Sequence, residues 1–529
     1  MAHQRKERQR DVFPLFRFLH RIQGESFAER EMKISSLLSH VGYVRLLGDP
    51  GTELTGITCD SREVKPGDLF VCLNGFHRDG HEFAGEALTR GAAALALETN
   101  SPVTETLIEK HRSGQITAPL LVFENTRKVF SLLAAAFYGY PLRSMVSVAV
   151  TGTKGKTTTA FMLWEILKKA GHAAGMIGTN GAFFKEHKWE LSHTTPEAHE
   201  LQRLLAGMRE LGCTHVVMEV SSQAVRTERT AGLFFTCGIF TNLSPDHIGP
   251  GEHEDFRDYL HQKSRLFSQC GIGIINREDP YAGEIRTHVA GPVVEYGMES
   301  GEYRAVKPEH YKTADMLGCE YRLLKKGKEL GSVFLPLPGI YNIQNSLAAI
   351  AAAGALGINP MTAAGALRNV HVPGRMELVP GISHLWLIVD YAHNEASMES
   401  LLSTLRSYEP RRLICVFGCG GNRSKLRRFG MGRAAGTWAD LSILTSDNSR
   451  EEPLSEILSE VEAGFSGTAG RYEVIADRRE AIGYAVRHGK CGDIIAVIGK
   501  GHETYQETKG VRIHFSDREE LERAVNLYR

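Results

Sequence analysis

The sequence predicts an α/β protein of three domains organised around a phosphate-binding strand, loop and helix. Three observations carry this expectation. At 529 residues the chain exceeds what one core holds, and at about 150 residues per domain it divides into three or four, with three as the working number. The apolar run 146–150 breaks into Thr151-Gly152-Thr153-Lys154-Gly155-Lys156-Thr157-Thr158, after which Phe161, Trp164 and Leu167 recur at helical spacing until Gly171. Later apolar runs at 413–417, 441–445 and 494–498 each end in a polar loop, as strands of one parallel sheet do.

The loop at 151–158 suits phosphate. Glycines let backbone N–H groups close around oxygens, Lys156 supplies charge, the Thr157 hydroxyl can reach a magnesium ion, and the helix N-terminus adds its dipole. Glycine-rich strand-to-helix turns also occur where no phosphate binds, but Gly-Lys-Thr at this junction favours a nucleotide. The common P-loop has four residues between its glycines. Here Gly152 and Gly155 are separated by two, and Val150 occupies the earlier position, so the loop is a shortened form.

Composition excludes several classes. Lys plus Arg and Asp plus Glu both total 62, which argues against nucleic acid or a membrane surface as the main partner and for a small-molecule enzyme, expected as a monomer. Nine cysteines without a CxxC pair, and no secretory leader, point to reduced thiols in the cytoplasm and away from zinc. The uncharged stretch 330–367 contains Pro336, Pro338, Asn342, Gln344, Asn345 and Pro360. Lipid would satisfy these poorly, so a buried Ala-rich helix over 344–356 is expected in place of a membrane span. Residues 1–31, with Arg5, Lys6, Arg8 and Arg10 ahead of a short aromatic segment, read as a disordered extension.

In order along the chain, Ile57–Arg62 and Val64–Val71 read as a strand, a turn at Pro66-Gly67 and a second strand, followed by an Ala-rich helix ending near Gly91. Beyond the phosphate loop, Ser192–Glu197 is a polar turn. Thr214–Met218 is a buried-strand pattern, and Glu219 follows at its end, where a parallel sheet places a magnesium ligand. Phe240–His247 is another strand end, and His247 paired with Glu219 is a candidate second ligand. Residues 256–267 form an amphipathic helix on which Lys263 would ordinarily be an exposed charge.

The Pro/Gly-bearing stretch 372–377 has the look of a linker. The strand 387–389 then runs into Asp390-Tyr391-Ala392-His393-Asn394, a polar loop at a switch point. The three later strand ends offer Arg423, Asp447, Asn448, Arg450 and, after Gly499, Glu503. That alternation of charges suits a zwitterionic amino acid. A dehydrogenase reading of Gly418-Cys419-Gly420-Gly421 lacks the GxGxxG spacing.

Taken in order from Met32 to Glu503, these pieces resemble the Mur ligase family, the ATP-dependent amide-forming enzymes of peptidoglycan precursor synthesis. TGTKGKTTT is similar to the family's ATP loop, while DSR, PGDLFV and DGHEF are similar to its N-terminal domain. MEVSS matches a central segment. FGCGGNR, DNSR and GKGHE resemble the C-terminal motifs of the tripeptide-synthetase branch. The resemblance implies a central P-loop parallel-sheet ATPase over 144–372, an N-terminal α/β substrate domain over 32–143 and a C-terminal Rossmann-like domain over 373–529. It implies ATP and Mg2+, and an acyl phosphate through which a free diamino acid, meso-diaminopimelate, joins UDP-N-acetylmuramoyl-L-alanyl-D-glutamate.

Carried over by motif, Gly152 to Thr158 bind ATP together with Asn276, Asp279, Asn342, Asn345, Arg375, Asp390 and His393. Ser61, Arg62, Thr194, Thr195, Ser221 and Arg229 face the UDP-substrate. Arg423, Asp447, Asn448, Arg450, Gly499 and Glu503 receive the amino acid. Lys156, Glu219, His247 and Lys263 serve catalysis, and Thr157, Glu219, His247 and Lys263 hold the metal. In the family the lysine matching Lys263 is carbamylated, which turns a metal-repelling ammonium into an oxygen donor.

The chain departs from the pattern at Gln223 and Thr227, usually His and Gln. It departs again at Gly249, where DHxDxHG is common, and at Ser449, where the motif usually has proline. Open alternatives are L-lysine or another amino acid as acceptor, and a specialised or non-catalytic paralogue. A folylpolyglutamate or cyanophycin synthetase would share the ATP core, but the DSR-type N-domain and the DNSR and GKGHE pair argue against it.

Overall fold

The computed structural model describes residues 31–75, 78–246, 248–249 and 251–528; the N-terminal extension read above lies outside them, apart from Glu31. The chain divides into two compact units, one formed by residues up to 148 with 173–236 and 246–269, the other by 149–172, 237–245 and 270 onward.

The first unit opens with a five-stranded sheet in the order Arg45–Leu47, Leu120–Phe123, Ala94–Glu98, Asp68–Val71, Gly56–Thr58, parallel except for the first pair. Successive side chains of a strand point to opposite faces. Leu69 and Val71 therefore enter one core with Phe130, Leu133 and Phe137, while Phe70 and Cys72 enter a second core with Leu107 and Ile108. Those partners lie on the helices Thr126–Phe137 and Pro102–Arg112, each started by a side-chain cap, Asn125 or Ser101. The small α/β unit expected around the Pro66-Gly67 turn is present. The same unit carries a run of strands in the order His187–Trp189, Gly181–Phe184, Ala174–Gly178, His215–Glu219, the last two parallel.

In the second unit the end of the strand Val146–Thr151 leads through the glycine loop into the helix Lys156–Lys169. That helix packs on Ile340–Ala355. The Ala-rich helix is buried through Ala348–Ala353, as its composition predicts, but begins a turn before residue 344. Gly339 stands at its N-terminus with φ 102°, a conformation that stops helix propagation further back. Two strands, Cys270–Asn276 and Val293–Gly297, pair in parallel, and a long antiparallel meander follows through Tyr303–Lys312, Leu317–Lys325 and Lys328–Leu335.

The chain then forms a six-stranded sheet in the order Glu377–Ile382, Leu385–Asp390, Ile494–Ile498, Leu413–Phe417, Leu441–Leu444, Arg471–Val474. Only the first pair is antiparallel. The central strands Leu413–Phe417 and Ile494–Ile498 are buried at every residue, which explains their unbroken apolar runs. Because they are parallel, the loops after Asp390, Ile498, Phe417 and Leu444 emerge at one edge. Among the described residues, no helix is long and apolar enough to cross a membrane.

Candidate active site

The phosphate loop is held from behind by the residues after strand Phe235–Phe240. Asn242 accepts the Thr153 N–H at its carbonyl (2.8 Å) and the Lys154 N–H at Oδ1 (3.0 Å). Thr241 Oγ1 donates to the Lys154 carbonyl at 2.7 Å. A Cβ on Gly152, whose φ is 145°, would lie 1.9 Å from Thr241 Oγ1, and one on Gly155 would lie 2.3 Å from Asn345 Oδ1. Both glycines are thus required twice, by backbone conformation and by space. Lys156 curls over the loop, its Nζ donating to the carbonyls of Gly152 (2.9 Å) and Thr153 (3.0 Å). Thr157 and Thr158 are buried in the first turn of the following helix.

The residues assigned to the nucleotide also brace this loop. Asn345 Nδ2 donates to Asn342 Oδ1 at 3.1 Å, and Asn342 Nδ2 donates to the Pro338 carbonyl at 2.7 Å. Asn276 Nδ2 donates to the Thr241 carbonyl at 2.8 Å. Asp279 accepts the N–H groups of Leu243 (2.7 Å) and Tyr281 (2.9 Å), and burial raises its carboxyl above the usual range. At the linker, the Arg375 guanidinium lies 4.5 Å from the Tyr391 ring centroid. Asp390 accepts the N–H groups of Met376 (2.7 Å) and Ala392 (2.8 Å); burial raises its carboxyl, and Arg375 opposes that shift. His393 is exposed, with Nδ1 2.9 Å from the Tyr391 carbonyl.

In the first unit Glu219 is fully buried. Its carboxylate accepts the Thr179 N–H at 2.9 Å and the Thr179 hydroxyl at 3.2 Å. Gly178 leaves room for it, since a Cβ there would lie 2.2 Å from Glu219 Oε1. Thr194 Oγ1 is 3.1 Å from Thr179 Oγ1. Thr195 Oγ1 donates to the Glu219 carbonyl at 3.0 Å and accepts the Ser221 N–H at 3.1 Å. Arg229 binds the Thr195 carbonyl (3.0 Å) and Glu197 (2.7 Å). Four of the residues assigned to the UDP-substrate, Thr194, Thr195, Ser221 and Arg229, are therefore joined to one another and to Glu219.

Ser61 and Arg62 stand in a separate group. Ser61 Oγ donates to Glu86 at 3.1 Å. The exposed Arg62 pairs with Asp60 at 2.6 Å, a hydrogen bond that holds the Asp60 carboxyl below its usual range.

Lys263 corrects the expectation of an exposed charge. It is 2% exposed on the helix Phe256–Phe267, with Nζ 4.7 Å from the Tyr259 ring centroid. His247 lies outside the described residues. The departing loop around Gly249 is closed by a residue the sequence reading passed over, His253, fully buried between Asp258 (2.8 Å) and Ser222 Oγ (2.8 Å). Burial lowers its pKa, against the pull of Asp258. Among the described residues, no three His, Cys, Asp or Glu side chains form a metal cluster.

At the edge of the six-stranded sheet, Asp447, Asn448, Arg450, Gly499 and Glu503 come together. Asn448 Nδ2 donates to Glu503 Oε2 at 2.9 Å, and its Oδ1 accepts the Glu507 N–H at 2.9 Å. Arg450 takes a left-handed φ of 51°, and its Nη1 donates to the Gly421 carbonyl at 2.6 Å. Without proline at 449, the arginine still sits against the glycine turn, because Ser449 Oγ is 3.2 Å from Thr508 Oγ1 and Arg450 bridges to Thr508. Arg423 is exposed on the glycine turn, where a Cβ at Gly420 would lie 3.3 Å from Arg450 Nη1 and 3.8 Å from Arg423 Cγ.

Two further residues hold this edge and were missed. Arg478, 1% exposed, binds both oxygens of the fully buried Asp517 (2.7 and 2.8 Å) and the carbonyls of Ile498 and Ser446. Lys500, fully buried, donates to Asn448 Oδ1 (3.1 Å) and Glu503 Oε2 (3.2 Å). The one signal for Lys500 was its place between two glycines at a strand end.

A glycine loop leading from a strand into a helix, together with a parallel sheet presenting paired charges at its carboxyl edge, defines a nucleotide-binding protein of α/β type. Family models match in the same order: the Mur ligase family catalytic domain at 53–138, the Mur ligase middle domain at 150–353 and the Mur ligase glutamate ligase domain at 374–501. The chain is 39% identical over 495 residues to a UDP-N-acetylmuramoyl-L-alanyl-D-glutamate–2,6-diaminopimelate ligase of Syntrophomonas wolfei, covering 92% of this chain and 98% of that protein. It is 40% identical to the protein of the same name from Chlorobaculum tepidum, over 89% and 92%. A solved structure of a protein so named has a TM-score of 0.66 at 28% identity, covering 94% of this chain and 99% of that one. The chain belongs to the Mur ligase family. A MurF ligase of Thermotoga maritima in complex with ADP shares the fold, with a TM-score of 0.56 at 18% identity over 89% and 98%.

Proposed function

We propose that this chain is the ATP-dependent ligase that joins a diamino acid, meso-diaminopimelate, to UDP-N-acetylmuramoyl-L-alanyl-D-glutamate in peptidoglycan precursor synthesis, working in the cytoplasm. The domains are 32–143 for the UDP-substrate, 144–372 for ATP and 373–529 for the amino acid. The observation that carries the reading is the combination of the Lys156 loop with the Asp447, Asn448, Arg450 and Glu503 cluster in a chain that is 39% identical over 495 residues to a ligase of that name.

A carboxylate is a poor electrophile, so the reaction needs two displacements. The peptide's terminal carboxylate oxygen attacks the γ-phosphorus, and the bond to the β-phosphate oxygen breaks, releasing ADP. The amine of the diamino acid then attacks the acyl phosphate carbon, phosphate leaves, and the amine loses a proton. Lys156 offsets the charge that develops on the transferred phosphoryl oxygens. With the Thr153 and Lys154 N–H groups held by Asn242, the N-terminus of the helix that starts at Lys156 orients the phosphates. Burial of the reacting ends protects the acyl phosphate from water.

The metal set we propose is Thr157, Glu219, His247 and the carbamate of Lys263. The donor chemistry fits: Glu219 is a buried carboxylate and the Thr157 hydroxyl a neutral oxygen, the hard ligands that magnesium takes. When bound, magnesium would screen the phosphate oxygens. Burial of Lys263 supports a carbamate: loss of a proton from the ammonium, addition of CO2 to the neutral amine and loss of a second proton would replace a buried cation by an anion that a bound metal would neutralise. Lys263→Ala is expected to lose most ligation and to recover part of it with a small added carboxylate. A mass showing only free amine, with undiminished activity in that variant, would remove the carbamate.

The reading is tested by ADP release with UDP-N-acetylmuramoyl-L-alanyl-D-glutamate and a panel of amino acids. Release dependent on both the nucleotide-linked peptide and meso-diaminopimelate is expected. Release with L-lysine alone would change the acceptor, and none with any amino acid would favour a non-catalytic paralogue.

A further inference from the structure

Lys500 is a buried cation to which the reaction above gives no task. Its Nζ contacts Asn448 Oδ1 at 3.1 Å, Glu503 Oε2 at 3.2 Å and Asp447 Oδ1 at 3.9 Å, and lies 5.3 Å from the Tyr505 ring centroid. With the Glu507 N–H it occupies Asn448 Oδ1, which turns the amide so that Nδ2 points at Glu503 Oε2. Glu503 thus has Oε2 doubly committed, while Oε1 has no hydrogen-bond partner among the described residues. Asp447 is alike: Oδ1 accepts the Asn448 N–H, and Oδ2 has no such partner. Arg450 spends Nη1 on the Gly421 carbonyl and keeps its other nitrogens uncommitted.

The charge of the cluster follows. Asp447 and Glu503 are two anions, and Lys500 and Arg450 are two cations. Among the neighbouring ionic groups, Arg478 pairs with Asp517 and Arg512 with Glu507, and Arg423, on the same glycine turn as the Arg450 contact, is exposed so that solvent screens its charge. A balanced cluster with free carboxylate oxygens and a free guanidinium edge matches a side-chain end that carries both an ammonium and a carboxylate. L-lysine brings an ammonium only, which would leave Arg450 unmatched and add a net positive charge.

We propose that Lys500 is a positioning residue that sets acceptor selectivity: by orienting Asn448 and Glu503 and cancelling one of the two carboxylates, it tunes the cluster to a zwitterionic side-chain end over a purely cationic one. This rests on the function proposed above. Removing its charge leaves two anions against Arg450 alone, a cluster that suits a cationic end better.

The test compares kcat/KM for meso-diaminopimelate and L-lysine in the wild type, Lys500→Met and Lys500→Arg of the full chain, with thermal melts as the folding control. Lys500→Met is expected to shift the ratio toward L-lysine by about tenfold or more, chiefly through KM. Lys500→Arg is expected to keep the wild-type preference. If Lys500→Met does not fold, Lys500→Gln, which keeps hydrogen bonding without charge, carries the same expectation. Equal losses for both amino acids, or an unchanged ratio in a folded variant, overturn the proposal and leave the ligase reading standing. A wild type that ligates neither amino acid overturns both.

Discussion

The phosphate loop and the charged cluster at the carboxyl edge of the six-stranded sheet are built on opposite plans. The loop is made of backbone: two glycines, a run of N–H groups and a lysine that folds back onto two carbonyls. Its supports, Thr241, Asn242 and Asn345, act on main-chain atoms or on the space a Cβ would fill. The cluster is made of side chains, in which a buried lysine, an amide and two carboxylates orient one another. Backbone sites depend on conformations that few residues can adopt, so their sequence is narrow. Side-chain networks depend on balance, so one member can be read only against the others.

The two plans predict different failures. The largest loss is expected from Lys156→Ala, which removes the phosphate counter-charge and two hydrogen bonds to loop carbonyls but no core packing: kcat should fall by about 10²–10³, with only a small change in melting temperature. Ligation at the wild-type rate would mean the loop does not serve the transferred phosphate.

Gly152→Ala tests the backbone plan directly. A Cβ 1.9 Å from Thr241 Oγ1 at a φ of 145° should cost about 1–3 kcal/mol in strain and weaken ATP binding, both readable by denaturant unfolding and nucleotide titration. If the variant is as stable and binds ATP as tightly as the wild type, the loop is not rigid in the way described.

Arg450→Ala probes the side-chain plan. Its kcat/KM for meso-diaminopimelate should drop by about ten- to a hundredfold, with little change for L-lysine, since only the first has a carboxylate at its side-chain end. A preference that survives the substitution would move the selector elsewhere. The smallest effect is expected from removing the residues before Met32: ligation and melting temperature should stay within error, because the family-like pattern begins at Met32. A substantial change in either would give the extension a role in the folded enzyme.

Much of both sites was legible in the sequence, for a physical reason that differs between them. Glycine and proline positions, apolar runs and their polar ends report local backbone requirements. They therefore located the P-loop and the strands 413–417 and 494–498, and placed the strand ends at Glu219 and Asp390. Order along the chain, matched to a family, added the roles. What remained depended on residues far apart in the chain meeting in space. The burial of Lys263 could not be read from helical spacing, which marks a side of the helix but not what covers it. The exposure of Arg423, the closure of the Gly249 loop by His253 between Ser222 and Asp258, and the work of Arg478 and Lys500 behind the sheet edge were likewise settled only by tertiary packing. A charge reveals its partner only when the strands that carry both have been laid side by side.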